Sequence, residues 1–253
     1  MSKASLSAIV HFCDTELHTK EIQDYERATN GLQVENRGTV SHIAAAVDAS
    51  LTTVKMAVAA GANLLVVHHG LFWSPAHPWT GKRYELIRVL VENDCAVYSS
   101  HLPLDAHPRL GNNAILFSKL RLKKPSPFFF DRGQFLGVKG RQRISRSDLA
   151  ARLQNATGVE PLLIPGGPKM CGRIGIVTGG AGSELKKAVA EGVDTFITGE
   201  GPHWTYALAE DLGVNVLYGG HYATETFGVK ALAGELSRRF RIPWLFLDHP
   251  TGL

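Results

Sequence analysis

The sequence predicts an α/β protein made of two similar halves with mostly parallel sheets. Short, continuous apolar runs alternate with helical segments, and such runs are typical of strands covered on both faces. The same pattern recurs later in the chain. With 253 residues, of which 44% are hydrophobic, the chain can bury a substantial core, so a disordered tail or a minimal binding motif is excluded.

The first half, residues 1–118, carries the pattern most clearly. Its amino terminus predicts a helix through about Leu17. From Ile43 the expected order is strand, helix, strand, helix, strand. These predicted elements cover residues 43–48, 51–61, 63–67, 84–94 and 95–101.

The middle of the chain, residues 119–172, differs in kind and is predicted to be a basic connector between the halves. The alternation from Phe128 to Val138 predicts exposed or edge strands, and Ser145 or Ser147 could cap a following helix. Residues 119–152 hold ten Lys or Arg against two Asp, a net charge of +8, whereas the whole chain carries +4. A nucleic acid, a polyanionic nucleotide or an acidic subunit face would each suit this segment.

The last part of the chain, residues 173–253, repeats the first pattern. Residues 43–70 align with residues 174–201 without a gap and with two glycines in register. The His-x-x-x-acid sequence of residues 101–105 likewise matches residues 221–225. The shared glycines and endings favour an internal duplication over the general likeness of any two βαβ units. All 253 residues are therefore expected to form one domain of two halves.

Histidines and carboxylates follow the predicted strands in both halves. Ligands of parallel α/β sheets bind at the carboxyl ends of strands, where these side chains are expected to gather. Imidazole and carboxylate ligands suit Zn, Mn, Fe or Ni. Two neighbouring histidines at one strand end point in different directions, so they suit two metals better than one, and a carboxylate can bridge two cations. The candidate metal ligands are His68, His69, Asp105, His221 and Glu225.

Other kinds of site are disfavoured. No GxSxG sequence is present, so nucleophilic Ser/His/Asp catalysis is not expected. The glycine-rich loop after the strand at 174–178, which spans residues 179–182, could cradle a phosphate, but it lacks the residues of a Walker loop. A tight strand-to-helix turn is the better interpretation of that loop.

The cysteines and the apolar runs bear on the compartment. The three cysteines are scattered and form no CxxC pair, so a disulfide framework or a thiolate zinc site is not expected. No apolar run approaches the ~20 residues of a membrane span, and the first residues do not resemble a signal peptide. We therefore expect a cytoplasmic protein that has no membrane partner.

Several motifs carry a family resemblance. In chain order they read DYERATNGLQVEN, LLVVHHGLFW, SSHLPLDAHPRLGNNAIL, TGEGPHW and GGHYATETFGVKAL. From about Asp24 to its end the chain resembles the bacterial branch of the NIF-three-like family, whose members are named GTP cyclohydrolase 1 type 2 homologs. The segment around Ala28 and Thr29 looks longer than is usual in the family, which affects a loop and leaves the metal motifs untouched.

The resemblance implies the NIF-three-like fold, a dinuclear metal centre between the two halves and a toroidal homohexamer. Carried over by motif, the HHG sequence supplies His68 and His69 as ligands, and HLPLD supplies Asp105. The GHYATE sequence supplies His221 and Glu225, with Glu225 as the bridging carboxylate.

The family name implies a reaction as well. Water activated by the two metals would open the guanine ring of GTP and release formate. His101, Glu200 or His203 would then move protons as the catalytic residues, while the glycine-rich loop or the basic segment would hold the triphosphate. The guanine substrate follows from the resemblance alone.

Three functions remain open at the level of sequence. The favoured one is a dinuclear metal-dependent hydrolase that acts on a nucleotide or a related heterocycle. The second is a non-catalytic metal-binding scaffold or metallochaperone. The third is a ring-shaped, nucleic-acid-associated protein linked to protection from DNA damage, which would bind through the basic segment and lose binding when Arg141, Arg143 and Arg146 are neutralised.

Overall fold

The structure, a computed structural model, describes residues 3–73 and 78–253. The strands are β1 (Ala4–Ser5), β2 (Gly31–Val34), β3 (Thr39–Val40), β4 (Ile43–Asp48), β5 (Leu64–His69), β6 (Ala96–Ser99), β7 (Lys123–Asp131), β8 (Gln134–Ser145), β9 (Leu162–Pro165), β10 (Met170–Ile176), β11 (Thr195–Thr198), β12 (Asn215–Tyr218) and β13 (Trp244–Phe246). The α-helices are α1 (Leu6–Glu16), α2 (Leu51–Ala59), α3 (Gly81–Glu92), α4 (Leu102–Asp105), α5 (Asn112–Lys119), α6 (Arg146–Thr157), α7 (Leu185–Ala190), α8 (Thr205–Leu212) and α9 (His221–Phe240). A 3₁₀ helix covers Ala181–Glu184.

The chain divides into two compact units. Unit 1 comprises Met1–Leu104 and Gly228–His249, and unit 2 comprises Asp105–Phe227 and Pro250–Leu253. These boundaries differ from those expected from the sequence, in which two halves are joined by a connector. The difference arises because α9 begins in unit 2 and its later residues belong to unit 1. A boundary inside one continuous helix leaves no local mark in the sequence.

Unit 1 contains a five-stranded sheet in the order β13-β4-β5-β6-β2. The first four strands are parallel, and β2 pairs with β6 in the antiparallel sense. β4 and β5 are buried except at their last residues, Asp48 and His69. Helices cover the apolar part of each strand, whereas the polar residue at its end is partly exposed. The predicted order of strands and helices from Ile43 to His101 is confirmed.

Local sequence determines where the helices of unit 1 begin. Ser5 caps α1 by accepting a hydrogen bond from the backbone N–H of Ala8. Ser50 and Thr53 form a reciprocal capping box at the start of α2. The apolar face of α2 then packs with β4 and β5 in a buried cluster that includes Val54, Leu65 and further aliphatic side chains. The strand ends that carry polar residues are thus fixed by a dense core.

Unit 2 contains a six-stranded sheet in the order β7-β8-β10-β11-β12-β9. Its central strands β10, β11 and β12 are parallel, whereas β7, β8 and β9 add antiparallel pairs at the sides. Residues 119–172, expected as a connector, therefore supply three strands of the sheet and α6. Of the two strands that include Phe128 to Val138, β7 lies at the edge of the sheet as predicted, whereas β8 lies between β7 and β10. The capping of α6 by Ser145 is confirmed. In the described chain, antiparallel pairings outnumber parallel ones in this sheet, so it is less parallel than predicted.

The two units share one order of elements. β4, β5 and β6 lie side by side in parallel in unit 1, as β10, β11 and β12 do in unit 2. Helices connect these strands in both units. The repeat expected from the sequence is thus present at the level of topology.

The cysteines of the described chain lie in its interior. All three cysteines are buried and none forms a disulfide. Burial, together with the charge of Asp94, raises the pKa of the Cys95 thiol to about 12, which keeps it neutral and a poor metal ligand. Among the described residues, no helix is both long enough and apolar enough to cross a membrane.

Candidate metal centre

Unit 1 brings three histidines together at the carboxyl ends of adjacent parallel strands. His68 and His69 end β5, and His101 lies two residues after the end of β6. One ring nitrogen of each histidine lies within 4.8 Å of one ring nitrogen of each of the others. The ring centroids of His68 and His101 are 4.9 Å apart. Parallel neighbours in register thus deliver the three imidazoles to one edge of the sheet, as the sequence predicts.

The Nδ1 atom of each of these histidines faces an oxygen acceptor. His68 Nδ1 lies 3.0 Å from the carbonyl oxygen of Ser100, which can only accept, so this nitrogen carries the proton. His69 Nδ1 lies 2.8 Å from Asp48 Oδ1, and the register of the sheet pairs these two residues at the ends of β4 and β5. Such bonds fix the tautomer and assign the role of metal ligand to Nε2.

His101 is held in the same manner. Its Nδ1 lies 2.9 Å from Asp24 Oδ1, and its backbone N–H donates to Asn30. Burial raises the pKa of Asp24, but hydrogen bonds from His101 and Asn30 and the charge of His101 outweigh that effect and lower the pKa. Asp24 is therefore ionised and accepts the Nδ1 proton. His101 is 12% exposed at its side chain, so water reaches it only narrowly.

An aromatic side chain borders the histidines of unit 1. The Trp73 ring meets His101 edge-on at 4.7 Å and His69 edge-on at 5.4 Å between centroids. Tyr25 lies 5.8 Å from His101 on a tilted plane. These rings limit the positions that the imidazoles can adopt.

Unit 2 contributes a histidine and a carboxylate from one face of α9. His221 begins the helix and Glu225 follows four residues later, so both side chains lie on the same face. His221 Nε2 lies 3.1 Å from Glu225 Oε2, and His221 Nδ1 lies 2.7 Å from Glu200 Oε1. Burial lowers the pKa of His221, but these two carboxylates outweigh burial and raise the pKa to about 9. The protonated imidazole thus supplies positive charge beside the two carboxylates, as a bound cation would.

Asp105 lies beside Glu225 in unit 2. A carboxylate oxygen of one is within 4.8 Å of a carboxylate oxygen of the other. Asn112 donates a 2.8 Å hydrogen bond to Asp105 Oδ1, which orients the carboxylate. Both Asp105 and Glu225 are buried. Buried carboxylates at this separation repel each other unless a cation or protons lie with them.

The glycine-rich loop of residues 179–182 lies next to Glu225. The backbone N–H groups of Gly179, Ala181 and Gly182 each donate to a protein oxygen, so they are not available to a phosphate. The interpretation as a tight turn is therefore the one that the structure supports. Gly179 has a φ of +72°, and a Cβ at this position would meet Glu225 Oε1. The lack of a side chain here makes room for the Glu225 carboxylate.

The donor set fits divalent transition metals. Unit 1 by itself supplies three imidazoles whose tautomers are fixed, and unit 2 by itself supplies an imidazole with two adjacent buried carboxylates. Nitrogen and carboxylate oxygen are the ligands that Zn, Mn, Fe and Ni share, and no cysteine accompanies them. The residues present therefore could hold metal, whereas the donor set leaves the choice among these ions open.

Two of the residues expected to move protons have other surroundings. Glu200 binds His221 Nδ1 and thus orients that imidazole, as Asp48 does for His69. His203 lies at an exposed turn before α8. Among the described residues, no group close enough to share a metal includes Glu200 or His203.

Sequence reasoning missed the acceptors that hold the histidines. Asp24 and Asp48 were not singled out, although Asp48 ends a predicted strand next to the strand that His69 ends. Aligning the two strand ends would have found Asp48. Asp24 lies 77 residues before His101, and no spacing rule connects them.

The chain is similar to known proteins over almost its full length. The family model described as Duf34/NIF3 (NGG1p interacting factor 3) matches residues 4–251. A "GTP cyclohydrolase 1 type 2 homolog" from Deinococcus radiodurans is 42% identical over 226 residues, which cover 88% of this chain and 86% of that protein. One of the same name from Halobacterium salinarum is 43% identical and covers 92% of this chain and 94% of its own length.

A solved structure gives the same result. Protein TTHA1606 from Thermus thermophilus superposes with a TM-score of 0.91 at 37% identity, and the match covers 99% of this chain and 100% of that one. The fold, the ordered motifs and the near-complete coverage agree. The chain belongs to the Duf34/NIF3 family.

Proposed function

We propose that the chain is a metal-dependent hydrolase that acts on a nucleotide or a related heterocycle. The observation that carries this proposal is the orientation of the three proposed histidine ligands, His68, His69 and His221, each of which has its Nδ1 bound to an oxygen acceptor. Structural histidines need no such uniform arrangement, whereas metal ligands almost always have it. The proposed ligands of two divalent cations are His68, His69, Asp105, His221 and Glu225.

The cations would supply the hydrolytic chemistry and the chain would supply the geometry. Zn, Mn, Fe or Ni lowers the pKa of a coordinated water to about 7 and neutralises developing negative charge. The buried Asp105 and Glu225 provide negative charge in a protein interior, which favours divalent over monovalent cations. Asn112 donates a hydrogen bond to Asp105 and so keeps the Asp105 carboxylate in place.

His101 is the residue best placed to move a proton. Asp24 holds the proton at Nδ1, so His101 Nε2 is the atom that would take a proton from the reacting water or return one to the leaving group. The Asp24 carboxylate would stabilise the resulting imidazolium, as a buried aspartate does in other acid–base pairs. Glu200 would orient His221, and an exposed His203 would contribute less than His101.

The proposed substrate is GTP, with opening of the guanine ring and release of formate. The support is the printed name of the relatives from Deinococcus radiodurans and Halobacterium salinarum, together with a donor set suited to activating water. Aromatic rings beside His101, those of Trp73 and Tyr25, also suit a site for a planar heterocycle.

Formate release from GTP tests this function. The purified chain, loaded with Zn or with Mn, is incubated with GTP and with other nucleotides, and formate and bound metal are both measured. Asp105→Asn removes a proposed ligand, whereas Asp211→Asn removes the same charge from an exposed position of α8 and serves as the matched control. We expect turnover that needs metal, that is lost in Asp105→Asn and that persists in Asp211→Asn.

The opposite results are equally definite. If the wild type binds metal but releases no product from any nucleotide, the hydrolase proposal is wrong. Rapid transfer of its metal to an apo-acceptor would then identify a metal-binding scaffold. If Asp105→Asn keeps both metal and turnover, the assignment of Asp105 as a ligand is wrong.

A further inference from the structure

A second candidate site lies in unit 2, where α5 ends beside α6. Three cationic side chains and one amide line a cavity of about 320 Å³, a size within the range of about 300–1,000 Å³ that small ligands occupy. The lining residues are Lys119, Arg121, Arg152, Asn155 and Ala156. No carboxylate lines this cavity, which we call the cationic pocket, and none of the residues belongs to the candidate metal ligands.

The backbone that carries these cations is firmly anchored. Lys119 and Arg121 flank Leu120, and Arg152 precedes Leu153, and both leucines are fully buried in the core of unit 2. Arg152 Nη1 donates a 2.8 Å hydrogen bond to the carbonyl oxygen of Leu120, which ties α6 to the end of α5. The positive charges are therefore held at one place by packing.

Arg121 occupies a backbone position that usually belongs to glycine. It follows the C-cap of α5 with a φ of +55°, in the left-handed region where side chains other than those of glycine are uncommon. Glycine would fit this helix end with less strain. The chain places a guanidinium there instead, which adds a third cation to the pocket.

The three cations of the pocket are not held in ion pairs. Within the described residues, none of Lys119, Arg121 and Arg152 forms an ion pair with a carboxylate. The carbonyl end of α5 also attracts positive charge. The carbonyl oxygen of Leu120 at this end accepts a hydrogen bond from Arg152. Three like charges around one cavity repel one another, and an anion between them would relieve that repulsion.

We propose that the cationic pocket binds the phosphoryl group of a small phosphate-bearing molecule. Guanidinium groups match phosphate oxygens with paired hydrogen bonds, and the Asn155 amide adds a neutral donor. Arg152 and Asn155 also line a second cavity of about 580 Å³. That cavity offers both apolar and polar surface to the organic part of the ligand, because its other lining residues are Arg143, Ile144, Ser145, Asp148, Ala151 and Met170.

Isothermal titration calorimetry on the full chain tests this site with inorganic phosphate and with ribose 5-phosphate at constant ionic strength. We expect both to bind, and we expect Arg121→Gln and Arg152→Leu each to weaken the affinity about 10-fold or more, as the loss of a charge-assisted contact does. Arg141→Leu removes a charge from the same basic segment outside the pocket, and less than about a twofold change is expected. Arg121→Gln is expected to fold normally because Arg121 is exposed, so a loss of binding in this variant is not explained by misfolding.

Two further measurements identify the binding site and the kind of ligand. His69→Ala, which alters a proposed metal ligand, should leave the phosphate affinity unchanged, and loss of binding in this variant would move the phosphate to the metal centre and overturn the proposal. A single-stranded oligonucleotide that binds much more tightly than ribose 5-phosphate, with a steep dependence on salt, would replace the small ligand by nucleic acid. Equal weakening by Arg141→Leu, or no binding of either phosphate, would also refute the pocket.

Discussion

Gly179 offers the sharpest test of the metal-site geometry. It has a φ of +72°, and a Cβ on it would meet Glu225 Oε1, lie 3.1 Å from Glu225 Cδ and lie 3.4 Å from His221 Nε2. Gly179→Ala therefore strains the backbone and also pushes the carboxylate away from its present place. Gly192→Ala is the matched control, because Gly192 has a φ of +83° in the same unit and a Cβ there would meet nothing within 4 Å.

The two variants separate backbone strain from displacement of the ligand. Alanine in the left-handed region costs about 1–2 kcal/mol of folding free energy, so Gly192→Ala should lose this amount and keep its metal affinity. Gly179→Ala should lose at least as much stability. It should also lose about 10–100-fold in metal affinity, since even residues that merely orient a ligand have effects of that size.

Urea denaturation of the metal-free proteins measures the loss of folding free energy. Competition with a chromophoric chelator for Zn or Mn measures the metal affinity. The comparison of interest is the ratio of metal affinities of the two variants, because backbone strain is common to both. If Gly179→Ala binds metal as tightly as Gly192→Ala, Glu225 is not a ligand in the position that the structure gives it, and the reasoning fails.

Four other predictions concern the site, the core and the assembly. Asp48→Asn should lower metal affinity about 10–100-fold by weakening the bond to the Nδ1 of its histidine, measured by the same chelator competition. Asp24→Asn should lower kcat about 10–100-fold at unchanged metal content, measured by formate release and elemental analysis, because the imidazolium loses its counter-charge. Leu153→Ala should cost about 2–5 kcal/mol in urea denaturation because Leu153 is fully buried, whereas Leu162→Ala, at a side chain 60% exposed, should cost much less. Light scattering should give a mass about six times the 27.5 kDa of one chain, as the family resemblance implies, and a monomer would contradict it.

Most of unit 1 was predictable because its strands are short apolar runs bounded by polar residues. β4 and β5 lie where the sequence predicts them, and both end in polar side chains. Strands were predicted from Phe128 to Val138, but neither β9 nor the place of these strands in the sheet of unit 2 was predicted. Pairing depends on contacts between distant residues, such as Ile174 with Gly140, and local periodicity does not encode such contacts.

The histidines of the site were found because strand ends converge by topology, and their acceptors were missed because acceptors follow other rules. A strand end such as His69 is located by hydrophobic pattern. Asp24 lies between helix α1 and strand β2, in a segment without regular structure, so its approach to His101 depends on how that segment folds back. A hydrogen bond across 77 residues leaves no periodic trace.

The repeat places different residues at the matching strand ends of the two units. In the gapless alignment of residues 43–70 with 174–201, Asp48 falls on Gly179 and His69 falls on Glu200. In unit 1 the strand end supplies its own carboxylate, and Asp48 orients His69. In unit 2 the matching position carries no side chain, and the space where its Cβ would lie is taken by Glu225 from α9. The glycine at this strand end therefore leaves room for a carboxylate that a helix delivers.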